Sequence, residues 1–140
     1  MRCRFLSPSD LIATEETDPI RLNEVFQIIS KAQRWTVPIM VEKDALFVMD
    51  GHHRLEVALR LGLLSVPVIP MDYSSVDVTA WRTGETITPR QIYQMARSGL
   101  KFPAKTTRHI FSGDLPVCDL PLDALRHPTG RFAHAERPAE

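Results

Sequence analysis

One segment in the first half of the chain constrains its fold more than any other. Residues 45–49 form an unbroken apolar run, which is typical of a buried strand. The run ends in the carboxylate Asp50, and Gly51 then allows the backbone to turn tightly. Residues 52–61 place leucine and alanine at helical i, i+3 and i+4 spacing, and Gly62 suits the position just past a helix end. The segment therefore predicts a strand, a tight turn and an amphipathic helix in succession.

The first turn of that helix is basic, because it carries His52, His53 and Arg54. A helix start offers unpaired backbone N–H groups and the positive end of the helix dipole, so it favours anions. The added basic side chains point to a phosphate as the anion, with Gly51 and these three residues as the candidate phosphate-binding group. Asp50 would lie beside them. The pattern predicts an acid next to a phosphate site.

Two other interpretations of residues 50–54 stay open on the sequence alone. Asp50, His52 and His53 could ligate a metal, but adjacent residues on a helix point about 100° apart, which does not suit a shared ion. Alternatively, the histidines could cap the helix while the backbone satisfies Asp50. A serine-histidine-aspartate triad has no support, because the chain lacks a GxSxG sequence.

The bulk composition is that of one ordinary domain. The 140 residues are enough for a single core, and Lys plus Arg balance Asp plus Glu at 17 each, so the chain carries no general footprint for nucleic acid. The two cysteines, Cys3 and Cys118, predict no disulfide framework. No apolar run reaches membrane-spanning length, and we expect a cytoplasmic protein without a membrane partner. We expect a domain over residues 1–127 and a flexible tail over residues 128–140.

The remaining segments complete an α/β (α+β) fold, with a small mixed sheet flanked by helices. A capping residue followed by proline occurs at residues 18–19 and at residues 88–89, which predicts helices that run to about residue 32 and to Gly99. Further strands are expected at the short apolar or alternating runs 3–6, 35–41, 65–71 and 76–82. The strands on either side of the central helix would form a βαβ-like unit.

A second cluster with chemical content stands near the end of the expected domain. Lys105, Thr106, Thr107, Arg108 and His109 bring two cations, two hydroxyls and an imidazole into five residues. Such a set can hold a phosphate through charge-assisted hydrogen bonds. The alternative is a basic loop that solvent surrounds.

Residues 50–54, with Ala58, residues 61–62 and residues 66–68, resemble the ParB/sulfiredoxin-like superfamily. In that superfamily a loop and helix N-terminus after a strand bind nucleotide phosphates, so the resemblance implies one compact domain of that fold. The DGHHR sequence more narrowly resembles the free serine kinases, both the archaeal ADP-dependent type and the type linked to siderophore synthesis. These enzymes phosphorylate free L-serine to O-phospho-L-serine. Residues 105–109 are similar to their C-terminal substrate motif.

The resemblance implies a small-molecule kinase with ATP or ADP as donor, Mg²⁺ as cofactor and L-serine as acceptor. Asp50 would lie beside the serine hydroxyl and the transferred phosphoryl group, and it is the candidate ligand for Mg²⁺. Either Glu15 or Glu16 would be the general base that a weakly nucleophilic hydroxyl needs. The simpler interpretation of these two glutamates is a solvated position before a helix.

The resemblance also assigns binding roles. The nucleotide phosphates would contact Gly51, His52, His53 and Arg54. The substrate would contact Trp81, Lys105, Thr106, Thr107, Arg108 and His109. The alternative function is a ParB-like nucleotide- or DNA-binding regulatory module without kinase activity, which the neutral charge and the lack of a helix-turn-helix segment disfavour. A sulfiredoxin-like reductase would need a cysteine where His52 stands, and a nuclease rests on the superfamily alone.

Overall fold

The computed structural model of the chain describes residues 3–128. Three α-helices lie in this part of the chain, and they are α1 (Pro19–Ala32), α2 (His52–Arg60) and α3 (Pro89–Ser98). Eight strands accompany them: β1 (Arg4–Leu6), β2 (Arg34–Trp35), β3 (Ile39–Glu42), β4 (Val48–Asp50), β5 (Val66–Met71), β6 (Val76–Ala80), β7 (Thr107–Phe111) and β8 (Leu120–Pro121). Short 3₁₀ helices span Pro8–Asp10 and Leu122–Arg126.

The main sheet has four strands in the order β1-β5-β3-β4. β3 and β5 are parallel, whereas β1 is antiparallel to β5 and β4 is antiparallel to β3. Two further antiparallel pairs, β2 with β8 and β6 with β7, lie outside this sheet. The predicted class, an α/β domain with a small mixed sheet flanked by helices, is confirmed.

The helices begin where the sequence predicts. The Asp18 carboxylate accepts a hydrogen bond from the Arg21 N–H at 3.2 Å at the start of α1. Thr88 and Gln91 form a reciprocal capping box at the start of α3. By contrast, α2 follows Gly51 directly and has no side-chain cap. The uncapped helix is the one whose start the sequence assigns to phosphate.

Two predicted strands differ from the structure. The run 35–41 is divided at Pro38, so that its first part pairs with β8 and its second part enters the main sheet. The strand expected at 45–49 begins later, because residues 43–46 form a turn in which Leu46 has a φ of 62°. The carboxylate of Glu42 accepts the backbone N–H groups of Asp44 and Ala45 in that turn, at 2.8 and 2.5 Å.

The expected βαβ-like unit also needs a correction. The strands on either side of α2, β4 and β5, are not neighbours, since β3 lies between them. β3 and β4 form an antiparallel pair joined by a short turn, and α2 then carries the chain back to the other side of β3. The parallel pair is therefore β3 and β5.

Alternate residues of the main sheet face two apolar clusters. On β3, Ile39 and Val41 face the cluster that includes Leu22 of α1 and Leu55 of α2. Met40 faces the other cluster, which includes Ile92 of α3 and an aromatic group of Phe47, Tyr73 and Tyr93. The sheet thus holds α1 and α2 on one face, and β4 ends where α2 begins.

The boundaries predicted for the domain and the tail stay predictions. Of the tail at 128–140, all but Pro128 lies outside the described residues. Within residues 3–128, no helix combines the length and the apolar character that crossing a membrane requires.

Candidate functional site

A cavity of about 490 Å³ opens beside the start of α2. Nine residues that the sequence singles out line it, and they are Glu15, Asp50, Gly51, His52, His53, Arg54, Trp81, Lys105 and Thr107. The structure therefore brings together three segments that are far apart in the chain: the acids before α1, the DGHHR sequence and the basic motif of β7. Four other predicted site residues, Glu16, Thr106, Arg108 and His109, are not among the lining residues.

The start of α2 lines the cavity. Gly51 has a φ of 114°, a region that residues with a side chain rarely adopt, and its conformation turns the chain from β4 into the helix. Since no side chain caps α2, its first N–H groups face away from the helix without a side-chain acceptor. Asp50 stands at the end of β4 with its side chain 52% exposed. An uncapped helix start and a carboxylate are thus adjacent, and the binding of an anion there stays a prediction.

The two histidines of this helix turn contact the segment that carries the acids. Nε2 of His52 accepts a hydrogen bond from the Thr14 N–H at 3.1 Å, and Nε2 of His53 accepts one from the Asp18 N–H at 3.0 Å. Burial is the main reason that the pKa of His52 falls to about 3 and that the pKa of His53 is also lowered. Both rings are therefore neutral near pH 7, with the proton on Nδ1.

Arg54 is largely occupied by the protein itself. Nη1 donates to the carbonyl oxygens of Val37 and Pro38, at 3.0 and 2.7 Å, and Nη2 donates to Oδ2 of Asp50 at 3.3 Å. Burial lowers the pKa of Arg54 from its ordinary value, and Asp50 opposes that shift. The guanidinium fixes the β2–β3 connection against α2 and balances the charge of Asp50. Phosphate binding by Arg54 stays a prediction.

The Glu15 carboxylate organises the loop before β7. Oε1 accepts the backbone N–H groups of Lys105 and Thr106, at 2.6 and 3.3 Å. Oε2 accepts the N–H and the hydroxyl of Thr107, at 3.2 and 2.8 Å. Lys105 has a φ of 58°, and it lines the cavity. One carboxylate thus holds a turn that brings a lysine to the cavity wall.

Two other members of the basic motif, Arg108 and His109, contact aromatic side chains. The Arg108 guanidinium lies 4.9 Å from the ring centre of Trp81, which is 54% exposed and lines the cavity. Nε2 of His109 lies 2.8 Å from the Tyr73 hydroxyl. Burial lowers the pKa of His109 to about 4, against smaller opposing effects of the Met49 backbone and Asp50.

Thr106 and Glu16 do not line the cavity. The Thr106 hydroxyl donates to the Pro103 carbonyl at 2.6 Å. Glu16 is exposed, and its backbone N–H donates to the carbonyl of Phe102 at 2.8 Å. The roles predicted for Thr106, Arg108, His109 and Glu16 stay predictions.

Sequence reasoning did not identify the apolar wall of the cavity. This wall consists of side chains from α1 and the β2–β3 connection, namely Val25, Ile28, Ile29, Trp35 and Val37. Arg21 of α1 also lines the cavity. One signal was present in the sequence: Ile28 lies off the buried stripe of α1, and it is 61% exposed. Single exposed apolar residues are common on protein surfaces, so Ile28 alone was not enough to predict an apolar wall.

The carboxylates of the site suit a Mg²⁺ ion that is held mainly by phosphate oxygens and water. Among residues 3–128, no group of three or more His, Cys, Asp and Glu side chains could enclose a metal ion. Mg²⁺ in phosphate sites takes one or two carboxylates, with phosphate oxygens and water as the other ligands. The exposed Asp50 carboxylate can serve as such a ligand, and Mg²⁺ would supply neutralisation of phosphate charge there.

Comparison with known proteins by sequence gives partial matches. No protein-family model matches the chain. It is 37% identical to a ParB-like protein of Sulfolobus acidocaldarius over 79 residues. The matched segment covers 55% of this chain and 39% of that protein. It is 35% identical over 72 residues to an ATP-dependent L-serine kinase of Desulfurococcus mucosus, 49% of this chain and 28% of the kinase. The chain thus spans less than two fifths of the length of these curated relatives.

Solved structures match over nearly the whole chain. A free serine kinase in complex with AMP has a TM-score of 0.81 at 13% identity, with 89% of this chain and 94% of that chain covered. A C-terminally truncated SbnI of Staphylococcus aureus also has a TM-score of 0.81, at 14% identity, with 90% of each chain covered. The expected resemblance is confirmed in both comparisons. This chain has the fold of the free serine kinases and of SbnI, and part of its sequence is similar to a ParB-like protein and to an L-serine kinase.

Proposed function

We propose that this chain is a kinase that transfers a phosphoryl group from ATP or ADP to the hydroxyl of free L-serine, with O-phospho-L-serine as the product. The observation that carries the proposal is one cavity with two chemically distinct sets of lining residues. The uncapped start of α2 and Asp50 form one set, and apolar side chains of α1 and the β2–β3 connection form the other. The names of the similar proteins support the same reaction class.

The cavity suggests how a nucleotide would lie. Its phosphates would occupy the start of α2, where backbone N–H groups and the helix dipole favour negative charge. The base and ribose would pack against the apolar wall, which includes Val25, Ile29 and Trp35. Phosphate binding by His52 and His53 stays a prediction, because Nε2 of each ring already accepts a backbone N–H group.

Asp50 and Glu15 would orient and activate the hydroxyl of the acceptor. A hydroxyl is a weak nucleophile until a nearby base orients it and takes its proton. Asp50 would stand at the point of transfer and help to hold Mg²⁺. Glu15 is favoured over Glu16 as the base, because Glu15 lines the cavity. Its Oε2 would exchange the Thr107 hydroxyl for that of the substrate. The rest of the catalysis is positioning and charge neutralisation.

The amino acid would bind between the basic motif and Trp81. Lys105 and Thr107 reach the cavity and can hold a carboxylate or the product phosphate. Arg108 stacks on Trp81 and would keep the indole against the substrate. Free serine and nucleotides are cytoplasmic metabolites, so we place the reaction in the cytoplasm.

The test combines the protein with L-serine, Mg²⁺ and either ATP or ADP. We expect phosphoserine with at least one donor. Asp50→Asn should lower kcat, because it removes the charge that would help to hold Mg²⁺, and Glu15→Gln should lower kcat by about 10²–10⁴-fold, the usual contribution of a general base. Asp123→Asn is the matched control, because the Asp123 side chain is 92% exposed and does not line the cavity. Absence of phosphoserine with both donors would rule out serine as the acceptor.

A second candidate function is a nucleotide-binding regulatory module without transfer. The match to the ParB-like protein favours it, and so does the engagement of Glu15 by four donors. This candidate predicts that ATP or ADP quenches the fluorescence of Trp35 and Trp81, both of which line the cavity, while no phosphoserine forms. A gel shift with DNA that weakens as salt rises would further support it.

A further inference from the structure

The segment that carries Glu15 is held at two points by the helix turn that faces it. His52 contacts the N–H of Thr14, just before Glu15, and also lies 3.4 Å from the Thr14 hydroxyl through the same Nε2. His53 contacts the N–H of Asp18, the residue that caps α1. The two imidazoles therefore bracket Glu15 and Glu16. Each ring uses the nitrogen that lies farthest from its own backbone.

The contacts continue from Glu15 to the turn that carries Lys105. The Glu15 carboxylate holds the backbone of Lys105, Thr106 and Thr107, and Lys105 in that turn lines the cavity. Lys105 adopts a positive φ of 58°, a conformation that a residue with a side chain keeps only when its surroundings enforce it. The position of the lysine thus depends on Glu15, and the position of Glu15 depends on the histidine pair.

We propose that His52 and His53 are positioning residues, which act as a clasp that fixes the Glu15 segment, and through it the Lys105 turn, against the start of α2. The inference rests on the proposed function for its kinetic consequence, but the clasp itself is a property of the fold. The rings act as neutral acceptors, because an N–H group of Thr14 or Asp18 can donate only to an unprotonated Nε2.

The chemistry of glutamine provides a sharp test. The Gln side chain can place an amide oxygen near the position of histidine Nε2, so His→Gln keeps the acceptor, whereas His→Ala removes it. The variants are His52→Gln, His52→Ala, His53→Gln and His53→Ala. His127→Ala is the matched control, because His127 lies at the end of the second 3₁₀ helix and does not line the cavity.

The first measurement is hydrogen exchange of the Thr14 and Asp18 amides by NMR, and it does not need an active enzyme. We expect His52→Ala to speed exchange at Thr14 about five- to tenfold, and His53→Ala to do so at Asp18, because one hydrogen bond is lost in each case. The Gln variants and His127→Ala should stay within about threefold of the wild type. Unchanged protection in both Ala variants would overturn the clasp.

The second measurement separates positioning from phosphate binding. A clasp acts through Glu15 and Lys105, so the Ala variants should raise KM for L-serine about tenfold or more. They should leave the Kd for ADP within about threefold of the wild-type value. The Gln variants should restore KM for L-serine toward the wild-type value. If Gln and Ala variants both weaken ADP binding about tenfold or more, the histidines act as phosphate ligands and the proposal is wrong. If the wild type makes no phosphoserine, the proposed kinase function fails, while hydrogen exchange still decides the clasp.

Discussion

Gly51 is the residue at which a single methyl group should disturb the site most. Its φ of 114° lies beyond the left-handed region that other residues sometimes adopt. A Cβ there would stand 3.0 Å from Nη2 of Arg54 and 3.3 Å from Cγ1 of Ile39. Arg54 cannot move away freely, since Nη1 donates to the Pro38 carbonyl at 2.7 Å. Gly51→Ala therefore strains the backbone and also presses on a buried guanidinium.

The size of the effect follows from these two contributions. An alanine at an unfavourable φ costs of order 1–3 kcal/mol. Displacement of Arg54 from its carbonyl partners adds roughly 1 kcal/mol, the usual net value of a hydrogen bond. We expect Gly51→Ala to lower the free energy of unfolding by about 2–4 kcal/mol.

Gly62→Ala provides the control for the general cost of a positive φ. Gly62 has a φ of 68°, and no atom lies within 4 Å of the position its Cβ would take, so a loss of about 1–2 kcal/mol is expected. Urea unfolding of both variants, followed by far-UV circular dichroism, gives the comparison. Equal losses in the two variants, or a smaller loss at Gly51, would refute the role given to the contact with Arg54.

Two further predictions concern the rings around the site. Below pH 6.5 the unfolded chain protonates His52 and His109, whereas the folded protein resists protonation until about pH 3 and about pH 4. Stability should therefore be greatest above pH 6.5, and these two rings should lower it on acidification by up to about 2.7 kcal/mol per pH unit. His109→Gln should reduce the slope by about 1.4 kcal/mol per pH unit in urea titrations between pH 6 and pH 4.5. A slope that His109→Gln leaves unchanged would contradict the assignment. Separately, Arg108→Ala should lower the free energy of unfolding by about 0.5–1 kcal/mol, because its guanidinium no longer stacks on Trp81. Arg108→Lys should lose less stability, because it keeps a cation near the ring. Equal stability of the wild type and both variants would argue against the stacking.

Local signals explain why the helices could be predicted from the sequence. Asp18 with Pro19 and Thr88 with Gln91 carry their capping information within three residues of each other. The turn at Gly51 is equally local, because only the backbone of that residue has to adopt the positive φ. The acid beside an uncapped helix start was therefore visible as a pattern of five neighbouring residues.

Long-range contacts explain what the sequence could not show. The Glu15 carboxylate meets Lys105 across a separation of 90 residues, and no periodicity marks that pair. The division of the strand at Pro38 depends on a partner strand, β8, that begins at Leu120. Glu42 is only 2% exposed although it is charged, because its carboxylate accepts N–H groups of the turn that follows β3, a contact that no sequence pattern marks.

The roles of the site residues show the same limit. The DGHHR pattern placed both histidines at the cavity, but whether a histidine donates to a ligand or accepts from the backbone depends on what lies opposite the ring. Here Thr14 and Asp18 lie opposite, and each presents an N–H group. Similarly, Arg108 and His109 belong to the basic motif, but strand alternation and neighbouring aromatic rings direct them to Trp81 and Tyr73.

Phosphorus NMR of one reaction mixture shows directly whether the protein phosphorylates serine. The protein is incubated with Mg²⁺, L-serine and either ATP or ADP, and parallel samples omit serine. A serine kinase should give a new phosphomonoester resonance that requires serine and grows in step with the ADP or AMP released. Nucleotide that binds but is never consumed, or phosphate that appears only as the inorganic ion, would contradict the assignment of this cavity to a serine kinase.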